Sequence, residues 1–394
     1  MSMPIKNRIG LAFLILLALN ACATTSLSPF GKEGLLSLEE DEKRLWIRSE
    51  EEQKKLHNSG YLYEDSALLS FISNVTERLI PEEIKGRVSI QTRVIKNPHV
   101  NAFTFPNGRI YIHTGFLAKM ENEAQLATVL AHEMTHFINR HTIQQVRRVR
   151  GTASFLGTLQ VIAAPAGVYG LAPLLLGAVG VMAAVSGYSK ELETEADRVG
   201  FDLLVKAGYD PAEAVKLIEH VQKHAEEEKI EEPFLFGSHP YLQDRKGNYV
   251  QLLQSEYGGK GGDKGAERFT RMIHPILLDN AAMDLSMGRF NSAKDAIDRF
   301  LQNEPGSAKG HYYLGEFHRK RGQESDAQTA EKLYLLAVQH DPSYADPHKG
   351  LGLLYLKWGQ KEKARESLER YLSFAPHAED KAYIEQYLQE IANR

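Results

Sequence analysis

The sequence lacks any cysteine other than Cys22. No disulfide can therefore form within the chain, and a zinc site built from thiolates is excluded. A marked excess of one charge is lacking too, since 47 Lys and Arg residues oppose 51 Asp and Glu residues for a net charge of −4. This balance argues against a dedicated nucleic-acid binder, and we expect no nucleic-acid partner.

The most informative pattern is H-E-M-T-H at residues 132–136. Residues four apart share one face of a helix, so His132 and His136 can reach the same metal ion, with Glu133 close enough to touch a metal-bound water. The alternative is a helix whose histidines are core or surface residues that bind no metal. His220 and His224 have the same spacing without the glutamate, and for them we expect a solvated helix face.

A catalytic zinc needs a third protein ligand and one open position for water. Glu191, Glu193 and Glu195 follow in a single acidic run before an apolar helical pattern. Spacing alone does not choose among them. The other interpretation of this run is an acidic first helical turn that is stabilised by the helix dipole.

Three motifs in order carry a family resemblance: H-E-M-T-H with the following N-R-H at residues 139–141, E-T-E-A-D at residues 193–197, and the run at residues 101–115. Over roughly residues 40–255 the chain resembles the zinc metallopeptidase family of the CAAX prenyl proteases and the HtpX-type proteases. The resemblance implies one Zn²⁺ per chain, held by His132, His136 and Glu193. It also implies that Asp197 orients a ligand histidine.

The resemblance further implies peptide hydrolysis. Glu133 would take a proton from the zinc-bound water and pass it to the leaving amine. His239-Pro240 followed by Arg245 resembles a family element after the third ligand, so His239 and Arg245 are candidate catalytic residues. His239 could stabilise the oxyanion, or it could bind the open zinc position and make the enzyme latent. The alternative is a loop histidine without a role.

Residues 106–108 predict a turn between two short strands, and residues 109–113 alternate with high β propensity. We expect the strand at residues 109–113 at a sheet edge, where an extended peptide can add as a further strand. By resemblance, Asn101, Ala102 and Phe103 bind substrate. A plain structural hairpin is compatible with the same pattern.

The N-terminus predicts export. Lys6 and Arg8 precede an apolar run at residues 9–19, which has the length of a signal peptide. The sequence L-N-A-C ending at Cys22 resembles a bacterial lipobox, in which the cysteine is lipidated. An ordinary signal cleavage site is the alternative. We therefore expect a lipid-anchored protein in the bacterial periplasm. By resemblance to bacterial lipoproteins, Ala23 rather than aspartate after Cys22 favours anchoring in the outer membrane.

Residues 151–189 carry no charge at all. This length could span a bilayer, although Pro165, Pro173 and many small residues divide it. We expect two helices near the active site that could contact lipid or a membrane-protein substrate, with a true membrane span as the alternative.

After residue 257 the composition changes. Residues 258–268 form a glycine-rich segment that predicts a flexible linker. Beyond it, three units of about 34 residues resemble tetratricopeptide (TPR) repeats, which bind protein partners in a concave groove. A generic helical cap is the alternative. The anchors are Gly288, Gly322 and Gly359, with Ala293, Ala327 and Ala364 five residues later and Pro305, Pro342 and Pro376 at the ends.

We therefore predict a mostly-α α+β protein: a signal peptide (1–21), a gluzincin-type metallopeptidase domain with a small sheet (22–257), a linker (258–268) and an α-helical TPR domain (269–394). A peptidase domain joined to such repeats resembles the periplasmic, BepA-like branch of the family. That branch implies degradation of unfolded or misassembled proteins and contact with the outer-membrane assembly machinery through the repeats. The lipobox is a departure, because members of that branch need not be lipoproteins, and it separately predicts contact with a membrane surface. A TPR chaperone or adaptor with a latent or dispensable protease site is the alternative.

Overall fold

A computed structural model describes residues 27–150, 187–228 and 242–392 of the protein. Several predictions lie outside these described residues: the lipidation site at Cys22, the proposed role of His239, and the uncharged stretch up to residue 186. Helices dominate the described part, accompanied by a small sheet, which confirms the mostly-α α+β fold class.

The sheet has three strands in the order β1-β3-β2, where β1 is Gln91–Ile95, β2 is Ala102–Thr104 and β3 is Arg109–His113. β1 runs parallel to β3, and β2 pairs with β3 as an antiparallel hairpin around the predicted turn at residues 106–108. The prediction that residues 109–113 lie at an edge is wrong, because β3 is the central strand. β propensity identifies a strand but not its neighbours, and the edge strand of this hairpin is β2.

The helices that surround the sheet belong to the first part of the chain. Their bounds are a 3-10 turn at Gly34–Ser37, α1 Glu40–His57, α2 Ser66–Leu79, α3 Thr114–Lys119, α4 Glu123–Ile138, α5 His141–Arg150, α6 Lys190–Lys206, α7 Ala212–Glu228 and α8 Leu242–Ser255. Among the residues that the structure describes, no helix has both the length and the apolar character needed to cross a membrane.

Helix α4 lies at the centre of this part, and all 16 of its residues are buried. It begins after Asn122, whose side chain accepts a hydrogen bond from the backbone nitrogen of Gln125 at 3.0 Å. The sheet, α2, α6 and α7 pack around it. Buried polar side chains are destabilising unless they form hydrogen bonds or ion pairs. The histidines and the glutamate of α4 therefore need such partners on neighbouring elements.

The second part consists of helices that pack against their sequence neighbours in order. Their bounds are α9 Ala266–Ser286, α10 Phe290–Asn303, α11 Ala308–Arg321, α12 Asp326–His340, α13 Ala345–Lys357, α14 Lys361–Phe374 and α15 Lys381–Ala392. This arrangement is the one expected for helical repeats. Their assignment as TPR repeats stays a prediction.

The junction between the two parts is packed against the first part. The backbone nitrogen of Asp263 donates to the carbonyl of Gly208 at 2.9 Å, and the carbonyl of Asp263 accepts from Asp210 at 3.2 Å. The carbonyl of Lys264 accepts from the nitrogen of Ala124 at 3.1 Å. Apolar residues of α9 belong to the same core as α4. Within the segment predicted as a flexible linker, residues 262–264 are therefore packed against the first part, where Gly262 permits close backbone approach.

A substitution at Gly262 tests this packing. A Cβ atom there would lie 2.3 Å from the carbonyl carbon of Tyr209, so the backbone would have to move. We expect Gly262→Ala to lower the free energy of unfolding by about 1–3 kcal/mol in urea denaturation. Gly261→Ala is the matched control, since nothing lies within 4 Å of its Cβ position, and a change within about 0.5 kcal/mol is expected. Equal stability of the two variants would contradict a packed junction.

Candidate metal centre and active site

Two helices bring three metal-binding side chains together. His132 and His136 lie on consecutive turns of α4, and Glu193 lies in the first turn of α6. The Nε2 atoms of the histidines are 3.0 Å apart. The Glu193 carboxylate places Oε2 3.4 Å from His132 Nε2 and Oε1 3.6 Å from His136 Nε2. All three residues are buried.

These distances fit a tetrahedral metal ion. Zinc bonded to nitrogen and oxygen at about 2.0–2.1 Å holds neighbouring ligand atoms roughly 3.3 Å apart. Two imidazoles and one carboxylate are also the ligand set of a catalytic zinc, which keeps its fourth position for water. A divalent cation would accept both Nε2 lone pairs and balance the buried carboxylate, so the residues present fit zinc.

The structure distinguishes the three candidate glutamates. The Glu193 side chain is 2% exposed, whereas that of Glu191 is 81% exposed and lies toward solvent. Glu195 is half-exposed and its Oε1 accepts a hydrogen bond from Asn139 at 2.7 Å. Positions 191 and 195 share one face of a helix and position 193 lies on the opposite face, and here Glu193 is the one that lies against the histidines of α4.

Asp197 and Arg245 contact His132 at Nδ1, the ring nitrogen that does not face the other candidate ligands. His132 Nδ1 lies 3.1 Å from Asp197 Oδ1, and Arg245 Nη2 lies 2.9 Å from the same oxygen. With Nε2 bound to a metal ion, Nδ1 would carry the ring proton and would donate a hydrogen bond to Asp197. Burial alone would raise the pKa of Asp197, but the charge of Arg245 and the hydrogen bond from His132 hold that pKa below its usual range.

His136 is held by residues to which the sequence analysis gave no role. Its ring stacks on Tyr188 with centroids 3.9 Å apart, and its Nδ1 lies 2.9 Å from Nδ1 of His141. Burial raises the pKa of Tyr188, whose hydroxyl is 2.9 Å from Thr142 Oγ1. The available sequence signal was the N-R-H run at residues 139–141, which indicated a resemblance but no contact.

Glu133 faces strand β2. Thr104 Oγ1 lies 2.8 Å from Glu133 Oε2 and 3.0 Å from the Glu133 carbonyl oxygen. Side chains alternate along a strand: Ala102 lines a cavity beside Glu133, whereas Phe103 stacks on Tyr111 at 5.5 Å on the other face. Thr104 is thus a site residue that the sequence analysis missed, because no motif marked it.

The cavity beside Glu133 is mostly apolar. The carbonyl of Asn101, at the start of β2, is already used by the backbone nitrogen of His113 at 3.0 Å. A largely apolar cavity next to a polar reaction centre suits a hydrophobic side chain of a substrate. Its lining comes from Ala102, Phe116, Thr128, Val129, His132, Glu133, Leu217, Ile218, Arg245 and Tyr249.

Comparison with known proteins agrees with this geometry. Residues 72–248 match the sequence profile of Peptidase family M48. This chain carries a Peptidase family M48 domain. The M48 domain therefore contains His132, Glu133, His136 and Glu193, together with β2 and Arg245.

Several relatives are similar over part of the chain. The beta-barrel assembly-enhancing protease of Escherichia coli (strain K12) is 26% identical over 287 residues, which are 65% of this chain and 59% of that protein. The Yersinia pestis protein of the same name is 28% identical over 201 residues, 49% of this chain and 40% of that one. The mitochondrial metalloendopeptidase OMA1 of Schizosaccharomyces pombe is 30% identical over 176 residues, 44% of this chain and 50% of that one. The chain spans about three fifths of the length of the first two curated relatives it matches.

Two sequence predictions about the M48 domain change. His224 does not lie on a solvated face: it is buried, its Nδ1 lies 3.5 Å from Ser292 Oγ of α10, and burial lowers its pKa to about 3. Arg245 is buried behind the ligands, where its Nη2 lies 3.1 Å from His132 Nδ1. It is therefore better placed to orient Asp197 and His132 than to touch substrate. His239 lies outside the described residues.

Zinc affinity tests the ligand set of the M48 domain. We expect Glu193→Gln to weaken zinc binding by more than about 100-fold in a chelator competition titration, because it removes a bonded carboxylate. Asp197→Asn leaves the ligands intact and should cost roughly 10–100-fold. Glu191→Gln, at an exposed position of the same helical turn, is the matched control and should bind like the wild type. Wild-type affinity in Glu193→Gln would remove this residue from the ligand set.

Proposed function

We propose that this chain is a zinc-dependent endopeptidase with one zinc ion per chain. The buried cluster of His132, His136 and Glu193, with Glu133 one residue beyond the first ligand, carries the proposal. Zinc bound there would lower the pKa of a water molecule to about 7 and polarise the scissile carbonyl.

The residues of the chain have distinct roles in this proposal. Glu133 accepts the proton of the attacking water and transfers it to the leaving amine. Thr104 donates a hydrogen bond to Glu133 Oε2 and keeps the carboxylate oriented. Asp197 fixes the tautomer of His132, and Arg245 neutralises Asp197. Arg245 is then a positioning residue, and His239 remains the candidate for stabilising the oxyanion or blocking the open position.

Substrate would bind along β2 as an additional strand. β2 is an edge strand of the sheet, and Ala102 and Thr104 face the metal helix. A peptide that lies along Asn101, Ala102 and Phe103 would pass beside Glu133. Strand addition recognises mainly backbone, which suits unfolded or misassembled proteins and gives little sequence preference.

We further propose that the protein is lipid-anchored at Cys22 in the bacterial periplasm, at the outer membrane. The lipobox-like sequence supports the anchor. Ser28, six residues later, is already docked on the M48 domain, since its carbonyl accepts a hydrogen bond from Arg140. Six residues extend at most about 20 Å, so an anchor at Cys22 would hold the peptidase close to the membrane surface.

The physiological role that we propose is quality control of outer-membrane proteins. The E. coli and Y. pestis relatives named beta-barrel assembly-enhancing proteases support it. The repeats would bind a component of the assembly machinery. Phe374, Tyr383 and Tyr387 are exposed on the last two helices, and exposed aromatic residues are typical of protein-binding surfaces.

A chaperone or adaptor role is the second candidate. The seven described helices after residue 265 and their exposed aromatic residues could act on partners without cleavage. In that case the metal centre would be latent or dispensable.

Glu133→Gln separates the two candidates. The purified variant should keep the wild-type zinc content and fold. Its rate of casein cleavage should fall by at least about 100-fold, because the glutamine amide is not basic enough to accept the proton of the water. A chelator should abolish wild-type cleavage in the same assay. Glu191→Gln serves as an exposed-glutamate control with full activity. If Glu133→Gln supports every cellular function of the gene, the adaptor role dominates.

Radiolabelled palmitate tests the anchor. We expect wild-type protein expressed in a bacterial host to incorporate the label and to sediment with membranes, because a diacylated cysteine partitions into lipid. Cys22→Ser should be unlabelled and should leave the membrane fraction. Unlabelled wild-type protein would show that Cys22 belongs to an ordinary cleavage site.

A further inference from the structure

The loop between β1 and β2, residues 96–101, leads directly into the proposed substrate strand. Its start packs on the beginning of α3: Asn97 O accepts a hydrogen bond from the backbone nitrogen of Gly115 at 2.8 Å, and Asn97 N donates to Thr114 Oγ1 at 3.1 Å. A Cβ at Gly115 would lie 2.1 Å from the carbonyl oxygen of Pro98. The loop therefore lies as close to α3 as backbone atoms allow.

Helices α9 and α10, which we call the first repeat hairpin, also contact this loop. Arg289, in the turn between α9 and α10, donates through Nη2 to the carbonyl oxygen of Pro98 at 2.8 Å. Its Nε lies 3.0 Å from Asp284 Oδ1. Asp284 Oδ2 accepts a hydrogen bond from Asn280 at 3.1 Å, and Asn280 Oδ1 lies 3.1 Å from Thr114 Oγ1.

These contacts form a closed ring that joins the two parts of the molecule. The ring runs from the loop through Thr114, Asn280, Asp284 and Arg289 and back to the loop at Pro98. Asn280 and Asp284 are almost fully buried, and the Arg289 side chain is 13% exposed. A charged donor roughly doubles the strength of a hydrogen bond, and this applies to the bond from Arg289 Nη2 to the carbonyl oxygen of Pro98, beside the ion pair of Arg289 with Asp284.

We propose that Asn280, Asp284 and Arg289 form a clamp that sets the position of strand β2. They are positioning residues for substrate binding, and in this respect the inference rests on the proposed peptidase function. Three residues separate Pro98 from Ala102, and β2 carries Thr104, which contacts Glu133. The first repeat hairpin is thus a structural part of the substrate cleft, and any movement of this hairpin moves the cleft edge.

Arg299 offers a matched control within the same hairpin. It lies on α10 and also bridges to backbone carbonyls of the M48 domain, those of Ala118 and Met120. These carbonyls lie at the end of α3 and not in the loop that enters β2. Arg299→Ala removes a comparable bridge between the two parts and leaves the clamp in place.

Hydrogen–deuterium exchange of the full chain tests the clamp without reference to activity. We expect Arg289→Ala to accelerate amide exchange at residues 99–104 by about tenfold or more, since one charged hydrogen bond is worth about 1.5–3 kcal/mol. Exchange in β1 should stay unchanged, and Arg299→Ala should leave residues 99–104 at the wild-type rate. If Arg289→Ala does not fold, Arg289→Gln, which is too short to reach both Asp284 and Pro98, is expected to give the same acceleration. Wild-type exchange at residues 99–104 in the folded Arg289 variant, or equal acceleration in Arg299→Ala, would overturn the clamp.

Casein kinetics then connect the clamp to catalysis. Arg289→Ala should raise KM about tenfold, because β2 binds the substrate, and should lower kcat by a smaller factor, because Thr104 of β2 also orients Glu133. Zinc affinity should be unchanged. Arg289→Lys, which retains one charged donor, should recover part of the KM. A loss confined to kcat would contradict the positioning role. Failure of the wild type to cleave casein would contradict the peptidase function alone, and the exchange experiment would still decide the clamp.

Discussion

The close packing of α4 against α6 is the constraint on which the site depends. His132 and Glu193 are about sixty residues apart in sequence, and their side chains meet because the two helix backbones nearly touch. A Cβ at Gly200 of α6 would lie 3.0 Å from the backbone nitrogen of His132. A Cβ there would force the two helix backbones to shift by a few tenths of an ångström, which would change the spacing between Glu193 and the histidines.

This packing places ionisable groups where water cannot reach them, so each one needs a compensating partner. Glu193 and Asp197 lie one turn apart on the buried face of α6. Arg245 of α8 lies against both, with Nη2 2.9 Å from Asp197 and Nε 4.0 Å from Glu193. The result is a second layer of charge around the metal ligands. Removal of either partner in such a pair leaves a buried charge uncompensated, so α8 is as necessary to the centre as the ligand helices.

The helical second part completes the first. Its initial helix shares a hydrophobic core with α4, and the glycine-rich junction is held by backbone hydrogen bonds to Gly208 and Asp210. The next helix covers His224. The second part thus continues into the contacts of the loop before β2, and a partner of the kind that we propose would bind to a body that is connected to the candidate site.

The sequence alone determined the features that depend on residues close together along the chain. The H-E-M-T-H spacing placed two histidines on one helix face, and residues 106–108 determined the turn of a hairpin, because such contacts lie within one or two turns of backbone. The resemblance selected Glu193 and Asp197, and both side chains lie within 3.4 Å of His132 on α4. Only the tertiary structure decided that β3 is central and β2 is the edge, that the glycine-rich segment packs, that Thr104 contacts Glu133, and that Arg245 lies behind the ligands. Strand order, burial and contacts between distant residues depend on how whole elements pack, and no local pattern carries that information.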